Sequence, residues 1–342
     1  MTTLRTADDL IAAGLAPEDR RADLERVASR YAVAIPGTLA GLMAGRDGTD
    51  PIVRQFLPDA AELHMDRSER ADPIGDAAFS PVKGIVHRYP DRVLLKLVGV
   101  CAVYCRFCFR REMVGPGTDT GLSPAELDQA LAYLAAHPEI WEVILTGGDP
   151  FMVAPRRMGE LMARLSDMEH VQVARLHTRV PIAAPERVTD AFIAALRAPG
   201  LTTYVAIHAN HARELTPTAR DAIARMADAG IALVSQTVLL RGVNDAPEPL
   251  ADLFRALVAC RVKPYYLHHP DLAPGTAHFR LSIAEGQALM AALRGAISGL
   301  CLPAYVLDIP GGHGKVQLTP SALVDGGVID RHGAIHSYPP PG

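Results

Sequence analysis

The chain has 342 residues, of which 49% are hydrophobic and 21% charged, with a formal net charge of −4. That balance fits one large soluble domain with appendages; it gives no basic surface for nucleic acid and no apolar run of membrane-spanning length. The first residues, Met1 to Asp9, lack the apolar stretch of a secretory signal, and five cysteines in a chain this long point to a reducing, cytoplasmic setting rather than a disulfide framework.

Residues 1–75 are expected to form an N-terminal helical extension. Thr6 starts one short helix, and Pro17-Glu18-Asp19 opens another with proline and acidic residues in its first turn. Leu24, Val27, Tyr31 and Val33 mark an apolar stripe at roughly helical spacing, and a third piece runs from Pro51 to Pro58. No chemistry is expected there, only packing on the main domain or on a neighbouring subunit. Residues 71–92 are predicted as a loop that ends in His87-Arg88-Tyr89-Pro90-Asp91-Arg92, and Val93 to Val98 as a buried strand.

From there strands and helices alternate. Ser123-Pro124-Ala125-Glu126 is a capping box whose helix runs to about His137. Strands follow at Trp141–Thr146, Val171–His177, Thr202–Ile207, Ala232–Leu240, Pro264–Leu267 and Ala304–Asp308, with helices near 155–167, 186–197, from Thr216, 247–259 and from Ser282. Six or seven such units imply an α/β fold with a parallel sheet and right-handed crossovers. The count is too small for a full eight-unit barrel and fits an open barrel, with a doubly wound sheet as the alternative. In both, the ligand site lies at the carboxyl ends of the strands.

Three of the five cysteines, Cys101, Cys105 and Cys108, fall within eight residues just after the first of these strands; Cys260 and Cys301 stand alone. Thiolates are soft ligands for iron–sulfur clusters and zinc. A structural zinc site would show a second paired cluster, which is lacking. A four-iron cluster on three cysteines keeps one iron open, the logic of a catalytic metal. Three core cysteines meeting by chance is the plain alternative. Two further stretches stand at strand ends. Thr146-Gly147-Gly148-Asp149-Pro150 lets backbone approach a ligand, or is a turn. Asp308-Ile309-Pro310-Gly311-Gly312-His313-Gly314-Lys315 sets a lysine in a glycine-rich loop, as a surface turn or as a Schiff-base lysine for pyridoxal phosphate. Lys83, Lys96 and Lys263 are poor rivals, being inside or just before strands. Arg88, Tyr89 and Arg92 offer forked donors suited to phosphate, or a solvated basic loop.

The spacing CxxxCxxC resembles the signature of radical S-adenosylmethionine (SAM) enzymes, in which the open iron chelates the methionine moiety and an electron from the cluster releases a 5′-deoxyadenosyl radical. Over about residues 80–318 the flanks resemble the lysine 2,3-aminomutase family. That resemblance implies a partial (β/α)6 TIM-like barrel with its pyridoxal phosphate site in residues 76–318, followed by a C-terminal tail, 319–342. It implies three cofactors: a 4Fe-4S cluster on Cys101, Cys105 and Cys108, SAM, and pyridoxal 5′-phosphate. Gly147, Gly148 and Asp149 match the motif that binds the methionine amino group. Lys315 matches the cofactor lysine, and Arg88, Tyr89 and Arg92 the holders of its phosphate. Arg110 matches the arginine that pairs with the substrate carboxylate; Arg111 beside it is read as serving the fold. Asp271 and Asp308 match the two aspartates that bind the side-chain ammonium of lysine.

The activity implied is that of an isomerase, an intramolecular aminotransferase converting L-lysine to β-lysine. An electron donor such as flavodoxin or ferredoxin and a homo-oligomer, dimer or tetramer, are implied with it. The shorter relatives that modify a lysine of elongation factor P share the Cys-Arg-Phe-Cys-Phe-Arg-Arg core, so that reaction is the alternative, with a 2,3-aminomutase of another amino acid beside it. A non-catalytic iron–sulfur protein is the rival from another class. No zinc is expected, because Ala246 follows Asn244-Asp245 where larger relatives place a zinc-binding cysteine, and no cysteine follows Cys301.

Overall fold

The computed structural model describes residues 3–115, 121–330 and 333–338. The N-terminal extension has four helices: α1 (Ala7–Ala12), α2 (Arg21–Arg30), α3 (Gly37–Met43) and α4 (Pro51–Phe56). Thr6 and Asp9 form a reciprocal capping box on α1, and Asp50 caps α4 ahead of a proline in its first turn. Leu10, Leu24, Leu39 and Phe56 build a core of their own that also takes in Val103 of the cysteine loop and Ala183 of the barrel. The extension therefore packs on the main domain, at the loop that carries the cysteines.

The barrel begins with β1 (Ile85–Tyr89) and β2 (Arg92–Val98), an antiparallel pair joined at Tyr89 and Arg92. The predicted loop over 71–92 thus ends in a strand. Only Ile85 and Val86 are apolar there, so hydrophobicity alone carries no strand signal, and Pro90-Asp91 is the turn between the two strands. The chain continues through α5 (Pro124–Ala135), β3 (Glu142–Gly147), α6 (Pro155–Ser166), β4 (Val173–Thr178), α7 (Val180–Ala183), α8 (Asp190–Ala195) and β5 (Thr202–His208). It then forms α9 (Pro217–Asp228), β6 (Ala232–Val238), α10 (Pro247–Ala259), β7 (Lys263–His268), α11 (Ile283–Ala296), β8 (Ala304–Ile309) and β9 (Gly314–Gln317). The capping boxes at Ser123/Glu126 and Ser282/Glu285 are both formed. The helix expected over 186–197 is broken: Pro185 starts a separate short turn, and the Thr189 side chain caps a new start at Asp190.

The nine strands lie side by side in chain order, with β2 to β8 parallel and β1 and β9 antiparallel at the two edges. Six β/α crossovers join the seven parallel strands, the partial barrel that the unit count implied. Alternate residues along a strand serve the two faces. In β2, Val93, Leu95 and Leu97 are buried in the main core with α5 and α6, while Arg92 and Leu94 line the barrel interior. The tail folds as well: β10 (Leu323–Val324), β11 (Gly327–Ile329) and β12 (Ile335–Ser337) form a small antiparallel sheet. Strands of two or three residues are too short for alternation to show in a sequence. Among the described residues no helix is long and apolar enough to cross a membrane.

Candidate active site

A cavity of about 760 Å³ occupies the barrel interior, within the usual range for a small-molecule site. Cys101, Cys105, Cys108, Gly147, Gly148, Asp149, Arg88, Tyr89, Arg92, Arg110, Asp271, Asp308 and Lys315 all line it. The sequence-predicted site residues, spread over more than two hundred positions, therefore face one space.

The cysteine loop leaves the carboxyl end of β2 and is held from two sides. Toward the barrel, the N–H groups of Gly148 and Asp149 donate to the carbonyls of Val98 and Val100 at 2.5 and 2.9 Å. A Cβ on Gly148 would stand 2.2 Å from the Val100 oxygen, and Gly147 adopts φ +116° with its own Cβ position 2.5 Å from the Val98 oxygen. These glycines are required by the packing of the loop itself. Toward the extension, the N–H of Arg106 donates to Gln55 O at 2.9 Å, and its guanidinium ion-pairs with Glu62, which is fully buried. Arg111 pairs with the same carboxylate and lies 3.5 Å over the Tyr31 ring.

Burial pushes all three thiols up, Cys105 to about 11, with Asp149 adding to the effect at Cys101. The three cysteines are half-buried at the cavity wall, and such thiols become thiolates when a metal cation compensates them. Among the described residues no three His, Cys, Asp or Glu side chains are grouped to hold a single ion. A cluster instead takes each thiolate on its own iron, and the donor set fits that. Asp149 is buried, and its carboxylate is occupied by Thr178 Oγ1 and the N–H groups of Arg179 and Phe151 at 2.8, 2.8 and 3.0 Å. It shapes the loop after β3 through these bonds.

Across the cavity stand Arg88, Tyr89 and Arg92. Arg92 lies 3.9 Å over the Tyr89 ring and bonds Asp91 at 2.7 Å. Arg88 donates to Ile74 O and to Asp76 Oδ1 at 2.7 and 3.0 Å, and its Nε is buried without a partner. The other oxygen of Asp76 accepts from Arg110 at 3.0 Å, and Arg110 also reaches Thr146 Oγ1 at 3.3 Å while its Nε has no partner. Asp76 is 2% exposed and joins the two arginines that the sequence assigned to different ligand groups. Arg88 and Arg110 both line the cavity, and guanidinium groups with spare donors suit anionic ligands.

Lys315 sits at the start of β9, opposite Asp308 in the hairpin, rather than on a loop free to swing. Its ammonium contacts Asp308 and lies 5.2 Å from the Tyr266 ring centre. Gly311, Gly312 and Gly314 have φ near +86°, +86° and +90°, so the glycines make the tight turn that returns Lys315 to the site. Burial works to raise Asp308, but His268 and the charge of Lys315 outweigh it and hold the carboxyl well below its usual range. Asp271 follows β7, and its Oδ1 is buried without a partner. Burial and then the charge of Asp308 push Asp271 up to about 7. The site thus holds one aspartate already paired and a second whose buried oxygen lacks a partner.

Three features carry no sequence signal of their own. Asp76 lies in a stretch without periodicity. His177 and His208 meet at 3.4 Å from the ends of β4 and β5, both kept neutral by burial. Arg179, one residue beyond β4, donates to Cys105 Sγ at 3.5 Å. His177, His208 and Arg179 share the cue of position at the carboxyl end of a parallel strand, whereas Asp76 lies ahead of β1.

A parallel partial barrel with three cysteines on the loop after its first parallel strand defines the radical SAM class, and residues 95–254 match the radical SAM superfamily. Residues 290–342 match the family described as lysine-2,3-aminomutase. The chain is 36% identical over 310 residues to an L-lysine 2,3-aminomutase of Acetoanaerobium sticklandii, covering 91% of this chain and 74% of the relative. It is 34% identical over 304 residues to a glutamate 2,3-aminomutase of Clostridioides difficile, covering 89% and 71%. A solved radical SAM methyltransferase from Sphaerobacter thermophilus superposes with a TM-score of 0.46 at 19% identity, covering 65% of this chain and 68% of that one. The chain belongs to the lysine 2,3-aminomutase family, within the radical SAM superfamily. It is accordingly an isomerase whose class uses a 4Fe-4S cluster and SAM.

Proposed function

We propose that this aminomutase carries pyridoxal phosphate on Lys315 and moves the α-amino group of L-lysine to Cβ. One observation supports lysine above all: Asp271 and Asp308 face the cavity beside Lys315, and the first has a buried oxygen without a partner. Two carboxylates in one pocket favour a second ammonium and repel a second carboxylate, so glutamate is disfavoured.

When bound, the cluster and SAM supply one-electron chemistry at carbon, and pyridoxal phosphate supplies an electron sink. The chain supplies binding and orientation. Cys101, Cys105 and Cys108 would hold the cluster, and among the described residues no fourth cysteine lies near them. The backbone at Gly147 and Gly148 would hold the methionine amino group of SAM, in a loop shaped by Asp149. Arg88, Tyr89 and Arg92, which line the cavity, would hold the cofactor phosphate. Arg110 takes the substrate carboxylate. The ammonium beside Asp308 is that of Lys315; Asp308 and Asp271 would receive the substrate's side-chain ammonium. Leu94, Ile144 and Val306 add apolar wall to the cavity. An external low-potential carrier of the flavodoxin or ferredoxin kind delivers the electron.

The test is an anaerobic assay of reconstituted, reduced protein given L-lysine, L-glutamate or elongation factor P in parallel, with products read by mass spectrometry. β-Lysine from free lysine alone is the expected result. Turnover of glutamate or of the protein substrate without turnover of free lysine would overturn the proposal.

A further inference from the structure

Resting on the cluster reading above, we infer that Arg179 sets the reduction potential of the cluster through Cys105, and that the N-terminal extension fixes Arg179 there through Gln55. Among the described residues, Cys105 is the one of the three thiols whose sulfur receives a side-chain hydrogen bond, from a guanidinium nitrogen of Arg179 at 3.5 Å.

That guanidinium is held by its second terminal nitrogen and by two aromatic rings, while its Nε is buried without a partner. Its second terminal nitrogen donates to Gln55 Oε1 at 2.7 Å and ion-pairs with Glu214. Gln55 is held in turn: its oxygen accepts from Asn210 at 3.0 Å, and its amide donates to Glu214 at 3.2 Å and to Pro51 O at 3.1 Å. The Phe56 and Phe107 ring centres lie 5.0 and 5.4 Å from the guanidinium carbon. Gln55, Glu214 and Asn210 are 0%, 0% and 1% exposed, and Arg179 is 6% exposed. A buried ion pair of this quality is costly to assemble and contributes little net stability by itself. Its geometry leaves one nitrogen aimed at a sulfur.

Hydrogen bonds and positive charge at cluster sulfurs stabilise the reduced state and raise the potential. The step concerned is the gain of one electron by the oxidised cluster from a low-potential one-electron donor, with no bond made or broken. The carboxylate of Glu214 bonds the other terminal nitrogen and opposes the effect, but Arg179 acts more strongly on Cys105. Gln55 belongs to α4, which gives the extension a role in the redox chemistry of the barrel.

The experiment is an EPR-monitored redox titration of the reconstituted full chain without SAM, using dithionite as donor, beside iron analysis, a thermal melt and a SAM-binding titration. The double variant Arg179→Gln/Glu214→Gln avoids leaving a buried carboxylate unpaired. It should load iron as the wild type does and titrate at a more negative midpoint, by about tenfold in the one-electron equilibrium, or about 59 mV. Arg179→Lys should recover most of that shift, and Gln55→Leu, which loosens the guanidinium without removing it, should show a smaller shift in the same direction. A wild-type midpoint in both the double variant and Gln55→Leu, at full iron content, would overturn the inference. So would a wild-type midpoint with weakened SAM binding, which would assign Arg179 to the methionine carboxylate. If the double variant fails to fold, Gln55→Leu and Arg179→Lys decide by the same midpoint. A wild-type chain that takes up no cluster sinks the cluster reading itself, a result distinct from the others.

Discussion

The backbone N–H of Lys315 donates to the hydroxyl of Tyr89 at 2.7 Å, and this bond spans the first and last strands of the nine-stranded sheet. Tyr89 ends β1 and Lys315 lies in β9, so the seam of the open barrel is drawn together at the site. Beside it, a Cβ on Gly75 would come within 2.5 Å of the Gly312 nitrogen, so the two ends of the barrel are packed backbone to backbone there. The cofactor lysine proposed here is thus positioned by the residue proposed to bind the cofactor's phosphate.

Removing that hydroxyl should loosen the seam. Tyr89→Phe is expected to cost about 0.5–1.5 kcal/mol of stability, the net worth of one neutral hydrogen bond. Pyridoxal phosphate affinity should fall at least tenfold, since both a phosphate donor and the placement of Lys315 are lost. Thermal melts and absorbance titrations with the cofactor measure the two effects separately.

Lys315→Ala removes the amine and leaves Asp308 buried without its cation. Borohydride reduction in the presence of pyridoxal phosphate should label wild-type protein at Lys315 and leave the variant unlabelled, as read by peptide mass spectrometry. Labelling of the variant at Lys96 or Lys263 to the wild-type extent would reassign the cofactor lysine.

Asp271 gives a pH signature. Its carboxyl is pushed up to about 7 in the folded chain, against an ordinary value of 3.8. The folded state therefore holds this proton more tightly than the unfolded one. The stability this contributes is full below pH 3.8, falls as pH rises from there to about 7, and is gone above it. An ammonium ligand favours the ionised form, so binding expels the proton and lysine should bind more tightly as pH rises through 7. KM for lysine measured between pH 6 and 8 should fall with pH in the wild type and flatten in Asp271→Asn.

Glu62 is fully buried between Arg106 and Arg111 of the cysteine loop. Glu62→Ala leaves two buried guanidinium groups without their anion and should cost about 3–5 kcal/mol. Because the loop is the cluster's seat, iron uptake should fall with the melting temperature. Full iron content in the variant would show that the extension does not organise that loop.

The predicted site residues that line the cavity were legible in the sequence because they are types with few other uses. Three cysteines at gaps of three and two, a glycine-rich approach to one of only four lysines, and alternating strand and helix signals each have a local physical cause. Spacing and turn propensity write them directly into the order of residues. What only the tertiary structure decided depends on contacts between distant segments. Asp76 links Arg88 to Arg110, Glu62 anchors the cysteine loop, Arg179 reaches Cys105, and Tyr89 meets Lys315 across the seam. None of these has a signature along the chain, because a single buried carboxylate or guanidinium is defined by its partner. The partner is set by the curvature that brings nine strands around one cavity.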